Sequence, residues 1–190
     1  KGVKDAALFN FGVRGNRTAQ LLNRLQTAEL QEAIAEADFV ILTIGGNDIM
    51  KVVKENFSGL VLNDFVQDRL QYEKDLGSVL ENIRKINADV PIFLVGLYNP
   101  FYQYLTDIRE LDVVVRDWNE ASKSVIAKYP LTYFVDIAEH FRNSEENLLH
   151  SDYFHPNDTG YKIIADQVYL EIQRRMFNNK KNETSIKENF

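Results

Sequence analysis

Short apolar segments alternate along the chain with longer stretches of helical period. Four segments are rich in Val, Ile and Phe and are apolar at successive positions: residues 7–13, 39–44, 91–98 and 132–137. Strands that are apolar on both sides are typical of a parallel sheet whose two faces are both covered. The pattern therefore predicts four buried parallel strands.

Three of the longer stretches carry apolar residues at steps of three and four, which is the period of an amphipathic helix. These residues are Phe65, Val66, Leu70, Leu76, Val79, Leu80, Ile83 and Ile86, then Leu111, Val114, Val115, Trp118, Val125 and Ile126, then Ile164, Val168, Ile172 and Met176. Alternation of strand and helix predicts an α/β fold, a doubly wound parallel sheet with helices on both faces. We expect one domain over residues 1–178, followed by a polar, aperiodic tail over residues 179–190.

Composition excludes several classes of protein. Among the 190 residues, 28 acidic residues outnumber 22 basic ones and give a net charge of −6. No run of Lys and Arg is dense enough to form the basic face of a nucleic-acid binder, so we expect no nucleic-acid partner. It contains no cysteine, which excludes disulfide bonds, zinc–thiolate sites and cysteine nucleophiles. No segment approaches the ~20 consecutive apolar residues of a membrane-spanning helix. The composition is that of an ordinary globular protein.

Ligands of parallel sheets bind beyond the carboxyl ends of the strands, so the loops after the predicted strands hold the candidate residues. Asp152 and His155 lie three residues apart in the last of these loops, before a helix that we expect Thr159 to cap. A turn of that length can place the carboxylate on one ring nitrogen of the imidazole. The other nitrogen then faces a nucleophile. A surface Asp–His pair at the start of a helix is the alternative interpretation.

A glycine-rich loop, Gly45-Gly46-Asn47-Asp48, follows the second predicted strand. Its two glycines allow a tight turn with the backbone close to a ligand. We expect Asn47 to direct its amide into the cleft and Asp48 to cap the helix that follows. Gly15, after the first predicted strand, offers a backbone N–H. Taken singly, each loop also fits an ordinary turn.

Together the loops supply a histidine base, a carboxylate, a side-chain amide and a backbone amide, which are parts for acyl transfer. The nucleophile is missing, because no serine stands in a Gly-Asp-Ser or Gly-x-Ser-x-Gly context. Four aromatic residues after the third predicted strand either line a pocket or pack in the core: Tyr98, Phe101, Tyr102 and Tyr104.

Three blocks of the sequence resemble, in order, the second, third and fifth blocks of the SGNH (GDSL) hydrolases. They are residues 10–15 (Asn-Phe-Gly-Val-Arg-Gly), 45–48 (Gly-Gly-Asn-Asp) and 152–156 (Asp-Tyr-Phe-His-Pro). Residues 42–50 and 96–101 are similar to the YpmR-like branch of that family. The resemblance extends to about Met176 and so covers nearly the whole chain.

The resemblance implies that His155 is the general base, that Asp152 orients it, and that the Gly15 backbone amide and the Asn47 side-chain amide are oxyanion donors. It implies hydrolysis of small-molecule esters, thioesters or acylated sugars without a cofactor. The family's Gly-Asp-Ser-Leu block, whose serine is the nucleophile, is absent from these residues. We expect that serine on a first strand upstream of Lys1. Proteins of this branch often carry an N-terminal membrane anchor and act outside the cell.

Two other functions remain open at this point. The chain fits a non-catalytic binding module that has kept the cleft and lost the nucleophile. It also fits a metal-dependent hydrolase, since His150, Asp152 and His155 include two imidazoles and a carboxylate, which can bind zinc with an open position.

Overall fold

The computed structural model describes residues 6–56, 59–102 and 109–177. Within these residues one parallel sheet has the order β1-β2-β3, formed by Val40–Thr43 (β1), Ile92–Val95 (β2) and Thr132–Val135 (β3). In register, Val40 lies opposite Ile92, and Ile92 lies opposite Thr132. Three of the four predicted strands are therefore confirmed.

Helices form the connections between the strands. In chain order the described α-helices are Thr18–Arg24 (α1), Ala28–Ala35 (α2), Gly46–Glu55 (α3), Asp64–Ile86 (α4), Arg109–Ile126 (α5), Ala138–Arg142 (α6) and Asp158–Ile172 (α7), which continues as a π-helical turn over Gln173–Phe177. The three stretches of helical period correspond to α4, α5 and α7. The α/β expectation is therefore confirmed, with a sheet of three parallel strands.

Two apolar cores lie on opposite faces of the sheet. Successive strand residues point to opposite faces, and in β2 Ile92 and Leu94 belong to one core while Phe93 and Val95 belong to the other. Helices α1 to α5 contribute to the first core, and α6 and α7 contribute to the second. This double cover explains why all four positions of β2 are buried.

The prediction of a strand over residues 7–13 was wrong. These residues are irregular, and Leu8 and Phe9 are 84% and 74% exposed. Apolar composition favours a strand, but a strand exists only where a neighbour takes its backbone hydrogen bonds. Within the described residues, β1 pairs with β2 on one edge and has no partner on the other.

Two predicted helix caps were also wrong. The N-cap of α7 is Asn157, whose side chain accepts a hydrogen bond of 3.0 Å from the N–H of Gly160, so Thr159 lies inside the helix. The N-cap of α3 is Gly45, and Asp48 lies in the first turn. Where several residues that can cap a helix follow one another, the sequence does not show which of them is the N-cap. The conformation of the backbone before the helix decides at which residue the helix begins.

Two remaining expectations concern the ends of the chain and membranes. The predicted tail over residues 179–190 lies outside the described residues, as does Tyr104. Across residues 6–56, 59–102 and 109–177, none of the helices combines the length and the apolar character needed to cross a membrane.

Candidate active site

Asp152 and His155 form a close pair. His155 Nδ1 lies 2.6 Å from Asp152 Oδ2, while Asp152 Oδ1 accepts hydrogen bonds of 3.0 Å from the backbone N–H groups of Phe154 and His155. The bond from the imidazole, assisted by these two N–H groups, holds the pKa of Asp152 well below its usual range. The carboxylate is therefore ionised and only accepts, so Nδ1 carries the proton. In the neutral imidazole, Nε2 then keeps its lone pair and can act as a base.

A short irregular loop brings the pair together. Its ends are joined by an isolated antiparallel bridge between Leu149 and Pro156. Inside the bridge, the N–H of His150 donates to the carbonyl of His155 (2.8 Å), and the N–H of Tyr153 donates to the carbonyl of His150 (2.9 Å). Tyr153 has a φ of 56°, a left-handed conformation that costs a residue with a side chain free energy. That conformation turns the chain between Asp152 and His155.

Tyr98 ties this loop to the sheet. Its hydroxyl donates a hydrogen bond of 2.6 Å to the carbonyl of Phe154, and its ring stacks on Phe141 with 4.1 Å between centroids. Burial raises the pKa of Tyr98, so the hydroxyl stays protonated and remains a donor. The ring of Phe154 in turn meets the imidazole of His155 edge-on, with 5.0 Å between centroids. Sequence reasoning left the role of Tyr98 open, because an aromatic residue after a strand fits a pocket and a core equally well.

The glycine-rich loop turns sharply at the carboxyl end of β1. Gly45 is buried and has a φ of 109°, and a Cβ there would lie 3.0 Å from Cε2 of Tyr72. Only glycine fits without strain at such a φ and so close to an aromatic ring. The turn lets α3 begin directly at Gly46 and places Asn47 and Asp48 in its first turn.

Asn47 and Asp48 both bond to the segment that follows Gly15. The side-chain amide of Asn47 donates a hydrogen bond of 3.0 Å to the carbonyl of Asn16. Asp48 Oδ2 accepts from the backbone N–H of Thr18 at 3.1 Å and from its hydroxyl at 3.0 Å. Gly15 itself is exposed, with a φ of 78°. The structure thus joins the two loops that carry the predicted oxyanion donors.

The metal alternative gains no support from the geometry. Nδ1 of His150 shares a hydrogen bond of 3.0 Å with the hydroxyl of Ser151, while Asp152 is engaged by His155. In the part of the chain that the structure describes, no group of three or more His, Asp or Glu side chains is placed to hold a metal ion.

A depression of about 250 Å³ lies between α5 and the residues that follow β3, away from Asp152 and His155. Two cations of its lining are paired with carboxylates of the same lining: Lys123 lies 3.5 Å from Asp136, and Arg142 lies 3.7 Å from Asp112.

Comparison with known proteins identifies the family. Residues 2–163 match the GDSL-like lipase/acylhydrolase family. The chain is 36% identical to the protein YpmR of Bacillus subtilis over 92% of this chain and 69% of that protein. It is 24% identical to the spore germination lipase LipC of Bacillus licheniformis, over 87% of this chain and 77% of LipC.

Solved structures show the same fold. The lipase Lip_vut3 from a goat rumen metagenome superposes with a TM-score of 0.72 at 23% identity, covering 81% of this chain and 73% of the lipase. A family 3 carbohydrate esterase of Clostridium thermocellum superposes with a TM-score of 0.51 at 20% identity, covering 84% of this chain and 68% of the esterase. With the family match over residues 2–163, the resemblance to the SGNH hydrolases is confirmed, and this chain belongs to the GDSL-like lipase/acylhydrolase family.

Proposed function

We propose that the protein is a serine ester hydrolase in which His155 is the general base and Asp152 orients it. The observation that carries the proposal is the bond of 2.6 Å between His155 Nδ1 and Asp152 Oδ2. It leaves Nε2 as the basic nitrogen of a side chain that is 43% exposed and so within reach of a substrate. Membership in the lipase/acylhydrolase family supports the same chemistry.

The proposed reaction has two halves. A serine hydroxyl attacks the ester carbonyl while Nε2 of His155 takes its proton, and the resulting imidazolium is stabilised by Asp152. The backbone N–H of Gly15 and the amide of Asn47 donate to the tetrahedral oxyanion. The intermediate collapses, and the leaving alcohol or thiol takes the proton from His155. Water then attacks the acyl-serine by the same route and releases the acid.

We place the nucleophile outside these 190 residues, in a Gly-Asp-Ser-Leu block at the end of a strand that pairs with the outer edge of β1. All four residues of β2 are buried, whereas in β1 only Leu42 is, and Ile41 is 39% exposed. An additional parallel strand there would cover this apolar edge and complete a doubly wound sheet. Its carboxyl end would reach the edge of the sheet at which Gly45 turns.

The proposed substrates are small-molecule esters, thioesters or acylated sugars, without a cofactor and without nucleic acid as a partner. The relatives named above include a spore germination lipase and a carbohydrate esterase. One fold hosts many substrates, and hydrolysis of p-nitrophenyl esters of increasing acyl length measures the acyl preference.

The test is to label the full-length protein with a fluorophosphonate probe, whose phosphorus reacts with an activated serine and loses fluoride. We expect one labelled serine, hydrolysis of p-nitrophenyl esters, and loss of both in His155→Ala. His150→Ala is the matched control, because its imidazole bonds to Ser151 and not to Asp152. If no serine is labelled and no ester is hydrolysed, the protein is a binding module and the proposal fails.

A further inference from the structure

Asp48 carries a half-buried carboxylate that the reaction above does not use. Burial raises its pKa, although hydrogen bonds from the backbone and the hydroxyl of Thr18 act in the opposite direction. Thr18 itself is completely buried. A carboxylate withdrawn from water is costly to keep unless donors surround it, so the contact with Thr18 is the structural use of this group.

The contact lies between the two oxyanion loops. Thr18 begins α1 three residues after Gly15, and Asp48 directly follows Asn47. Asp48 Oδ2 receives both donors of Thr18, at 3.1 Å from the N–H and 3.0 Å from the hydroxyl, and Oδ1 lies 3.3 Å from the same N–H. The carboxylate of Asp48 thus binds the start of α1 through two donor groups, the N–H and the hydroxyl of Thr18. This contact lies next to the hydrogen bond from Asn47 to Asn16.

We propose that Asp48 is a positioning residue for the oxyanion hole: it fixes the distance between the Asn47 amide and the Gly15 backbone N–H. The proposal rests on the proposed function. An oxyanion hole works because its donors are already in place when charge develops. A misplacement of 1 Å at a reacting centre can cost about 10²-fold in rate.

If Asp48 served only the fold, its replacement would change folding stability and leave kcat unchanged. The pKa of Asp48 is raised in the folded state, so the favourable contribution belongs to the protonated form. It is complete below the unfolded pKa near 3.8 and is lost as the pH rises through the folded pKa. At neutral pH the ionised group therefore costs folding stability. Replacing it with a neutral group of the same shape should therefore be tolerated by the fold, and a loss of kcat in Asp48→Ala that this neutral replacement recovers then reports positioning.

The experiment compares Asp48→Ala, Asp48→Asn, Asn47→Ala and the double variant Asn47→Ala/Asp48→Ala in the full-length enzyme with a p-nitrophenyl ester. We expect Asp48→Ala to lower kcat by about tenfold to 10²-fold while KM changes less than about twofold. Asp48→Asn should recover most of kcat, because an amide oxygen at the Oδ2 position still accepts both bonds from Thr18. The double variant should be no slower than Asn47→Ala, because Asp48 acts through the placement of Asn47.

Asp64→Ala is the matched control, since Asp64 Oδ2 also accepts a backbone N–H, that of Val61 at 2.9 Å, at the start of α4. It should leave kcat unchanged. Amide hydrogen exchange on the full-length enzyme measures the contact with Thr18 independently of activity: the Thr18 N–H should exchange faster in Asp48→Ala and stay protected in Asp64→Ala.

The outcomes distinguish the positioning role of Asp48 from the oxyanion role of Asn47. If Asn47→Ala lowers kcat and Asp48→Ala does not, the positioning role fails and the oxyanion assignment stands. If the two losses multiply in the double variant, Asp48 acts independently of Asn47 and the proposal is overturned. If Asn47→Ala keeps full kcat, the oxyanion assignment in the proposed function is itself wrong. Should Asp48→Ala not fold, Thr18→Val removes only the hydroxyl donor and must still lower kcat.

Discussion

The hydroxyl of Tyr98 donates a hydrogen bond of 2.6 Å to the backbone carbonyl of Phe154, one residue before His155. This bond connects the segment that follows β2 with the loop that holds the candidate base. Stacking on Phe141 fixes the Tyr98 ring, so the hydroxyl has little freedom to move. The position of His155 therefore depends on the sheet as well as on its own loop.

Tyr98→Phe keeps the stacked ring and removes only this hydrogen bond. We expect the free energy of unfolding to fall by about 1 kcal/mol and kcat to fall several-fold, because the loop is less well anchored. Denaturant unfolding and ester hydrolysis measure the two effects.

Tyr129→Phe is the matched control for that variant, since the Tyr129 hydroxyl donates to the carbonyl of Gly77 at 2.9 Å, between α4 and the segment after α5. It should cost similar stability and leave kcat unchanged. Equal kcat values in the two variants would show that the Tyr98 hydroxyl contributes to folding stability and not to turnover.

His155→Ala and Asp152→Ala should have unequal effects on turnover in the full-length enzyme. His155 moves the proton, so its loss should remove nearly all activity. Asp152 orients and stabilises the imidazolium, and loss of the carboxylate in serine triads costs about 10⁴-fold in kcat. Steady-state kinetics with a p-nitrophenyl ester measures both. Wild-type turnover in Asp152→Ala would contradict the assigned role.

Asn47→Ala should lower kcat by about 10²–10³-fold, or about 2.7–4 kcal/mol, if its amide donates to the oxyanion. KM should change little, because the donor meets full charge only in the transition state. A residue that serves only the loop would instead lower the thermal midpoint and keep kcat. Both quantities should be measured on one preparation.

Gly45→Ala should destabilise the protein by about 1–2 kcal/mol from the left-handed backbone alone, and by more from the contact of 3.0 Å with the Tyr72 ring. Gly46→Ala is the control at the neighbouring position, where the nearest atom lies 4.0 Å away and the residue is helical. It should stabilise the protein slightly, since alanine favours a helix over glycine. Thermal unfolding compares the two; equal midpoints would contradict the strain at Gly45.

Stability should fall as acid protonates Asp152. The pKa of Asp152 is lowered in the folded state, so its contribution is present above the unfolded pKa near 3.8 and is lost as the pH falls below that value. Asp152→Asn should flatten this part of the dependence of unfolding free energy on pH. Asp48→Asn should change the slope in the opposite direction, because the pKa of Asp48 is raised. Unfolding titrations in urea between pH 2 and about pH 6 test both signs.

The sequence alone determined what depends on periodicity and on near neighbours in the chain. The strands β1, β2 and β3 and the helices α4, α5 and α7 were predictable, because buried elements must be apolar at a fixed period. The approach of Asp152 to His155 was an open expectation, and the observed contact spans only three residues. A turn that short leaves few arrangements.

Tertiary structure decided what depends on distant partners. Residues 7–13 have the composition of a strand, but a strand needs a neighbour, and composition does not provide one. The cap expected at Asp48 became a tie to Thr18, 30 residues away, and Tyr98 reaches Phe154 across 56 residues. Polar and aromatic side chains have several suitable partners in the sequence, and only the folded chain selects one of them. A hydrogen bond forms only where it compensates for the lost hydrogen bonds to water and the lost conformational entropy of the side chains.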